Sequence, residues 1–369
     1  MSSNLLNIFK EIDDPRVQGR TVYPLLEILF LCITAILSGA EGWEAIEDFG
    51  VAKLDWLKQY LPYEEGIPRH DTIARLISSL SSEALQTSFI KWMKSVVDLT
   101  EGEVIAIDGK QSRGSHDRPS GKNALHLVSA FACANGVVLG QQKTSEKSNE
   151  ITAIPKLLSL LEIKGAIVTI DAMGCQRSIA KQIIEQNGDY VLAVKGNQGR
   201  LHDAIRQTFE QAQSVGYEAM TYQQHTEVDK GHGRIETRQC TVLPLMYLHQ
   251  FKPKWKGLQS IVMIASERNI GDKCQTEQRF YVSSLPLDAK AIASAIRQHW
   301  YIENKLHWVL DVTFNEDSSR IRRQYAAHNL AIMRHLALNL IKKEPSKMSV
   351  PRKRRMAVLH DDFRHKCLQ

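Results

Sequence analysis

Apolar positions follow two different rhythms along this chain. From residue 1 to about 98 they fall at helical spacing. Leu25, Leu26, Leu29, Ile33 and Ile36 make one stripe, ended by Ser38-Gly39-Ala40, and Trp43, Ile46, Phe49, Leu54 and Leu57 make a second. Pro68 then blocks continuation, and Asp71 or Thr72 can cap the helix that follows. With Arg69, His70 and Arg75 exposed, these short helices form either a helix-turn-helix reader of DNA or a helical cap on the rest of the chain.

From Glu103 the rhythm changes to short β-branched bursts. The run 104–108 ends at Asp108, and Leu125–Phe131 and Gly136–Lys143 follow as strands joined by an Asn135-Gly136 turn. A helix over Glu150–Leu161, with Pro155 near its first turns, precedes a second burst ending at Asp171. A helix over Cys175–Gln186, stopped by Asn187-Gly188, leads to a strand over Tyr190–Asn197. Three meandering strands, then helix, strand, helix, strand, predict an α/β protein with a ribonuclease H-like mixed sheet and flanking helices. Between 206 and 287 the pattern is β-rich, and a helix resumes at Asp288. The expected organisation is a helical N-terminal domain (1–98), a catalytic core (99–205 and 288–345) interrupted by a β-rich insertion (206–287), and a basic C-terminal tail (346–369).

Composition narrows this only slightly. The 369 residues exceed one ordinary core, so two or three domains are expected. A net charge of +6 is compatible with a polyanion partner without requiring one. Six scattered cysteines, with no C-x-x-C pair, argue against a zinc cluster or disulfide framework and for a reducing cytoplasm. The apolar stretch from Val22 to Ala40 contains Pro24 and Glu27 and reads as a buried helix, so no membrane partner is expected. Pro351-Arg352-Lys353-Arg354-Arg355 reads as a flexible phosphate-binding arm.

The chemistry lies in the acids. Asp108 and Asp171 each close a continuous apolar run, and the carboxyl ends of such strands are where α/β sheets place their sites. Glu303 sits in the helix Ile296 to Trp308, where Ile296, Trp300 and Leu306 can bury one stripe. An acid among basic residues is usually a solvated ion-pair face, but two strand-end aspartates need a third ligand. Asp311, Glu316 and Asp317 are its rivals. Three carboxylates on separate elements suit hard divalent cations, which keep waters and take up substrate phosphate oxygens. Two such ions, roughly 3.5–4 Å apart, can activate a water or 3′-hydroxyl for in-line displacement. Lys110, Arg113 and Lys195 would neutralise backbone phosphates, and Arg234 and Arg238, on one face of a strand, would either track DNA or pair with Glu236.

Five ordered blocks make the sequence recognisable. They are Ile107-Asp108-Gly109-Lys110, Thr169 to Gln176, Val194 to Gln198, His232 to Arg238, and His299 to Trp308. Across nearly the whole chain they resemble bacterial insertion-sequence transposases of the DDE type, within the group of H-repeat-associated proteins. The resemblance implies Asp108, Asp171 and Glu303 as catalytic acids and metal ligands, with Mg2+ or Mn2+, two ions, as cofactor. The implied activity is cutting at element ends and joining 3′-OH strands to target DNA. The implied partners are double-stranded DNA and a second copy of the chain in a synaptic complex, in the bacterial cytoplasm and on the nucleoid when DNA is bound. Related transposases place Tyr, Arg, Glu and Lys at fixed helical spacing. Here the positions seven and four before Glu303 are Ile296 and His299, and the position seven after is Leu310. Arg297, Tyr301 and Lys305 would then take the DNA-contacting roles. A nuclease of the same fold, or a transposase-derived DNA-binding protein without catalysis, are the alternatives.

Overall fold

The computed structural model describes the chain except residues 1, 18, 20, 117–122, 145–149, 219, 232 and 272, and the side chains of residues 2 and 3. Asp117, Arg118 and Pro119, in the polar stretch that continues from Lys110 and Arg113, and His232 of the fourth block therefore lie outside the described residues.

The chain opens with helices α1 (Ser2–Phe9), α2 (Leu25–Leu37), α3 (Trp43–Ala52), α4 (Leu54–Leu57), α5 (His70–Ser79) and α6 (Ser82–Val96). α2 is buried on almost every side, and its one acid, Glu27, accepts the Tyr63 backbone N–H at 2.9 Å. Among the described residues no helix is long and apolar enough to cross a membrane. Neither Asp71 nor Thr72 caps α5. Glu47 of α3 reaches across instead, accepting from the His70 N–H at 2.7 Å and from Arg69 at 2.9 Å. A carboxylate from a neighbouring helix satisfies an orphan donor as well as a local cap does.

The sheet carries β1 (Val104–Ser112), β2 (Leu125–Ala132), β3 (Val137–Lys143), α7 (Glu150–Leu160), β4 (Ile167–Ile170), α8 (Arg177–Glu185) and β5 (Asp189–Val194). β1 pairs antiparallel with β2 and parallel with β4, and β4 parallel with β5. The order 3-2-1-4-5 with these directions is the ribonuclease H-like topology expected from the sequence. β1 does not end at Asp108. Its pairing with β2 continues to Ser112, and only the pairing with β4 stops, at Ile107 opposite Ile170.

After α9 (Gly199–Ser214), β6 (Gln223–Gly231), β7 (Arg234–Pro244), β8 (Ser260–Ile270) and β9 (Lys273–Ser283) form the β-rich stretch. These strands do not stand apart. β9 pairs antiparallel with β5, so one nine-stranded sheet, β3-β2-β1-β4-β5-β9-β8-β7-β6, runs through the described residues. α10 (Ala289–Ile302) crosses its face against β1, β4, β6 and β7. A π-helical turn, Glu303–His307, leads to α11 (Trp308–Val312), then α12 (Ala326–Lys343), α13 (Val350–Leu359) and α14 (Asp361–Leu368).

α12 is buried along most of its length and joins the two ends of the chain. Asn329 donates to the carbonyls of Ile77 and Leu80, and Asn339 both donates to and accepts from Val138 of β3. The C-terminal basic run is not a free arm. It lies in α13, where Lys353 pairs with Glu344 at 3.0 Å and Arg354 donates to the carbonyls of Ile36 and Thr313. Those carbonyls close α2 and α11, so the cations sit where helix dipoles favour positive charge. Arg352 and Arg355 alone of the run's charges remain exposed.

Candidate active site

Because β1 and β4 are parallel and their pairing stops at Ile107 and Ile170, the next residues on these adjacent strands are Asp108, still paired with β2, and Asp171, just past the end of β4. Neighbouring strands lie about 4.8 Å apart. β5 delivers Lys195 at the same edge, one residue beyond Val194, and its exposed charge acts on Asp171. Asp171 is turned back on its own loop, where Oδ1 accepts the N–H groups of Met173 at 3.0 Å and Gly174 at 3.3 Å. Burial, above all, raises the pKa of Asp171, with those two N–H groups acting the other way.

The helical acid meets the strand acid through the π-helical turn. Thr169 Oγ1 and His299 Nδ1 lie 3.0 Å apart, pinning α10 to β4. Burial pushes His299 down to about 4, so this imidazole is neutral. The extra residue of the π-turn then resets the phase of the helix, as such turns do at many functional sites. Ile302 and Leu306 point into the core, while Glu303 and His307 face Asp108. His307 Nδ1 lies 3.6 Å from Asp108 Oδ2 and 3.6 Å from Glu303 Oε2. One donor atom from each of these three residues falls within 4.8 Å of the others, and Asp171 is not part of that group. Burial and then the Glu303 charge raise the pKa of Asp108, whereas the adjoining His307 holds Glu303 below the usual carboxylate range. Lys342 of α12 donates to the Lys305 carbonyl at 2.7 Å and ties the turn down from outside.

A fourth acid stands beside them. Glu150, at the start of α7, lies 2.9 Å from His126 Nε2, and its charge bears on both Asp108 and Asp171. This explains Gly109: a Cβ there would collide with the Glu150 carboxylate and lie 2.7 Å from His126 Nε2. Sequence patterning missed Glu150, His126 and His307. The Glu303-to-His307 spacing, four residues on a helix, was the one usable signal.

The rival acids are engaged elsewhere. Lys110 Nζ lies 2.7 Å from Asp311, 2.9 Å from Glu316 and 3.4 Å from Asp317. Its expected role as a phosphate contact therefore fails: the side chain is 11% exposed, and three carboxylates surround its charge. Arg113, 84% exposed, is held only loosely, 3.6 Å from Asp317.

Arg234, Arg238 and Arg297 line a cleft of about 380 Å³ between α10 and β7–β9. Arg238 sits on Glu236 at 2.8 Å and reaches Asp229 at 3.4 Å, which is the surface-ladder arrangement. Arg234 is 4.0 Å from Glu236, and Arg297 pairs with Asp229 at 3.3 Å. Arg268 and Arg279 also line the cleft. Trp300 is not part of the buried stripe. It is 40% exposed at the cleft, with the Arg279 guanidinium 5.3 Å from its ring centre. Lys305 is exposed, its ammonium 3.5 Å from the centre of the Tyr301 ring.

The donor set suits a divalent ion. Two carboxylates and an imidazole converge, and His307 Nε2 is buried without a hydrogen-bond partner. Carboxylate oxygens and an imidazole nitrogen are donors that divalent ions accept.

Residues 99–340 match the family described as Transposase DDE domain, and residues 6–93 match DDE_Tnp_1-associated. The chain is 46% identical over 362 residues to YncI of Escherichia coli O157:H7, covering 97% of this chain and 92% of that one. It is 45% identical over 358 residues to the H repeat-associated YhhI of Escherichia coli K12, covering 95% and 94%. Both bear transposase names. A cryo-EM structure of the piggyBac transposase synaptic complex with hairpin DNA aligns at a TM-score of 0.44 and 11% identity, covering 99% of this chain and 77% of that one. By sequence over nearly its whole length, the chain belongs to the Transposase DDE domain family.

Proposed function

We propose that this transposase-family chain cuts double-stranded DNA at the ends of its element and transfers the resulting 3′-OH strands to target DNA. The observation that carries the proposal is the convergence of Asp108, Glu303 and His307 within 4.8 Å, beside the strand that delivers Asp171. Divalent ions bound there would supply Lewis-acid stabilisation of the charge that develops at the scissile phosphate. The chain's own part is positional. Asp108 and Glu303 are brought together by a strand and a pinned helix, Asp171 is held by the N–H groups of its loop, and Glu150 adds negative charge behind them. Arg113 and Lys195 are exposed for phosphates at the sheet edge. Arg234 and Arg297 line the cleft along α10, Lys305 is exposed just beyond its end, and Arg238 steadies the ladder beside them. Transposition requires two element ends to be held together, so two copies act in one synaptic complex.

The test is incubation of the purified chain with DNA bearing the element's terminal inverted repeats, with and without Mg2+ or Mn2+, followed by strand transfer from pre-cut 3′-OH ends. Metal-dependent nicking at the ends plus joined product is expected. Cleavage without joining would make the chain a nuclease. Binding without either would make it a DNA-binding protein only.

A further inference from the structure

We propose that His307 is a direct ligand of the ion bound by Asp108 and Glu303, and that its nitrogen makes this centre prefer Mn2+ to Mg2+. The inference rests on the reading of this cluster as a divalent-metal centre and adds the identity of its third ligand. His307 is 6% exposed, in a π-helical turn whose phase aims its ring at the two acids. The 3.6 Å from Nδ1 to each carboxylate oxygen is too long for a hydrogen bond. It matches the separation, about 3–4 Å, of two atoms that each lie roughly 2.0–2.2 Å from one ion. Nε2, on the far side of the ring, is buried without a hydrogen-bond partner. A histidine kept for packing alone would have used that nitrogen in a hydrogen bond, as most buried polar atoms do.

Asp171, whose Oδ1 accepts from Met173 and Gly174, is not among the three residues whose donor atoms converge within 4.8 Å. Oxygen-only sites suit Mg2+, whereas imidazole nitrogen favours first-row transition ions.

Mn2+ binding to the full-length chain without DNA, followed by the electron paramagnetic resonance of the free ion and competed with Mg2+, tests this independently of cleavage. The expected result is a Mn2+ affinity at least about tenfold above that for Mg2+, and nitrogen modulation in the pulsed spectrum of the bound ion. In His307→Asn the nitrogen signal should vanish and the preference should narrow to about threefold or less, because an amide oxygen replaces the imidazole. Thermal unfolding of the variant checks that it is folded, and His307→Gln serves if it is not. Failure of the parent chain to bind Mn2+ at all would overturn the metal-centre reading. A parent that binds Mn2+ with no nitrogen modulation, or a folded variant with unchanged preference and signal, would overturn the role of His307 alone.

Discussion

Asp108 and Lys110 are two residues apart on β1, on the same face of the strand, and each is the centre of a charged cluster. Around Lys110, three carboxylates from α11 and the turn after it are neutralised by a resident cation, with Arg334 3.7 Å from Glu316 on the far side. Burial pushes Glu316 up, but Lys110 and Arg334 outweigh it and hold its pKa below the ordinary value. Around Asp108 no lysine or arginine of the described residues pairs with Asp108 or Glu303; His307 stands between them, and burial raises the pKa of Asp108. The difference separates a structural cluster from a candidate site. Acids held by lysine and arginine tie elements of the fold together, and acids faced only by an imidazole are placed to take up a cation from outside.

Four changes should break or sharpen that contrast. Asp108→Asn is expected to lower metal-dependent cleavage of inverted-repeat DNA by a factor on the order of 1,000 or more. It should leave the ion-free melting temperature unchanged or higher, because a buried like-charge contact is relieved; a fall in both would place Asp108 in the structural class. Lys110→Met should do the reverse. With Glu316 2% exposed, loss of its cation should cost about 3–5 kcal/mol in denaturant titration. Adding Glu316→Gln should return part of that loss, a coupling that two independent sites would not show. Gly109→Ala, which drives a Cβ into Glu150, is expected to cost about 1–3 kcal/mol and to reduce cleavage by displacing a carboxylate beside both aspartates.

The smallest effect concerns Glu47. The His70 N–H, then the His70 and Arg69 side chains, hold it down to about 2. Because its folded pKa lies below its unfolded value of about 4.3, its stabilisation is full above that value. It is lost as pH falls toward 2. The Glu47→Gln melting temperature should therefore sit below the parent's at pH 7 and converge with it near pH 2.5, as thermal scans across that range will show.

Much of this was legible in the chain itself, for physical reasons. Apolar bursts ending in Asp108 and Asp171 announce buried parallel strands, and Asn135-Gly136 announces its hairpin, because those signals are local. The role of Lys110 was misread because a cation beside a strand-end acid resembles a phosphate contact, while its three partners lie some 200 residues downstream. Trp300 was assigned to the core by its helical spacing from Ile296, but that face of α10 borders the cleft, where Ile296 is buried and the larger Trp300 reaches the surface. The charges of Lys353 and Arg354 were expected in solvent. Lys353 closes the helix just before it, and the carbonyls that Arg354 satisfies end helices formed by distant segments, which no run of neighbouring residues discloses.

The closing of the sheet by β9 on β5, and of the helical layer by α12 on α2, α5 and α6, has a consequence for synthesis. These contacts join parts of the chain separated by roughly 90 to 300 residues, so folding is slow and late. While the ribosome is still translating the last third, the N-terminal helices lack α12, the helix that packs against α2, α5 and α6. The acidic cluster, which needs Glu303 and the turn behind it, is therefore completed only after most of the chain has emerged.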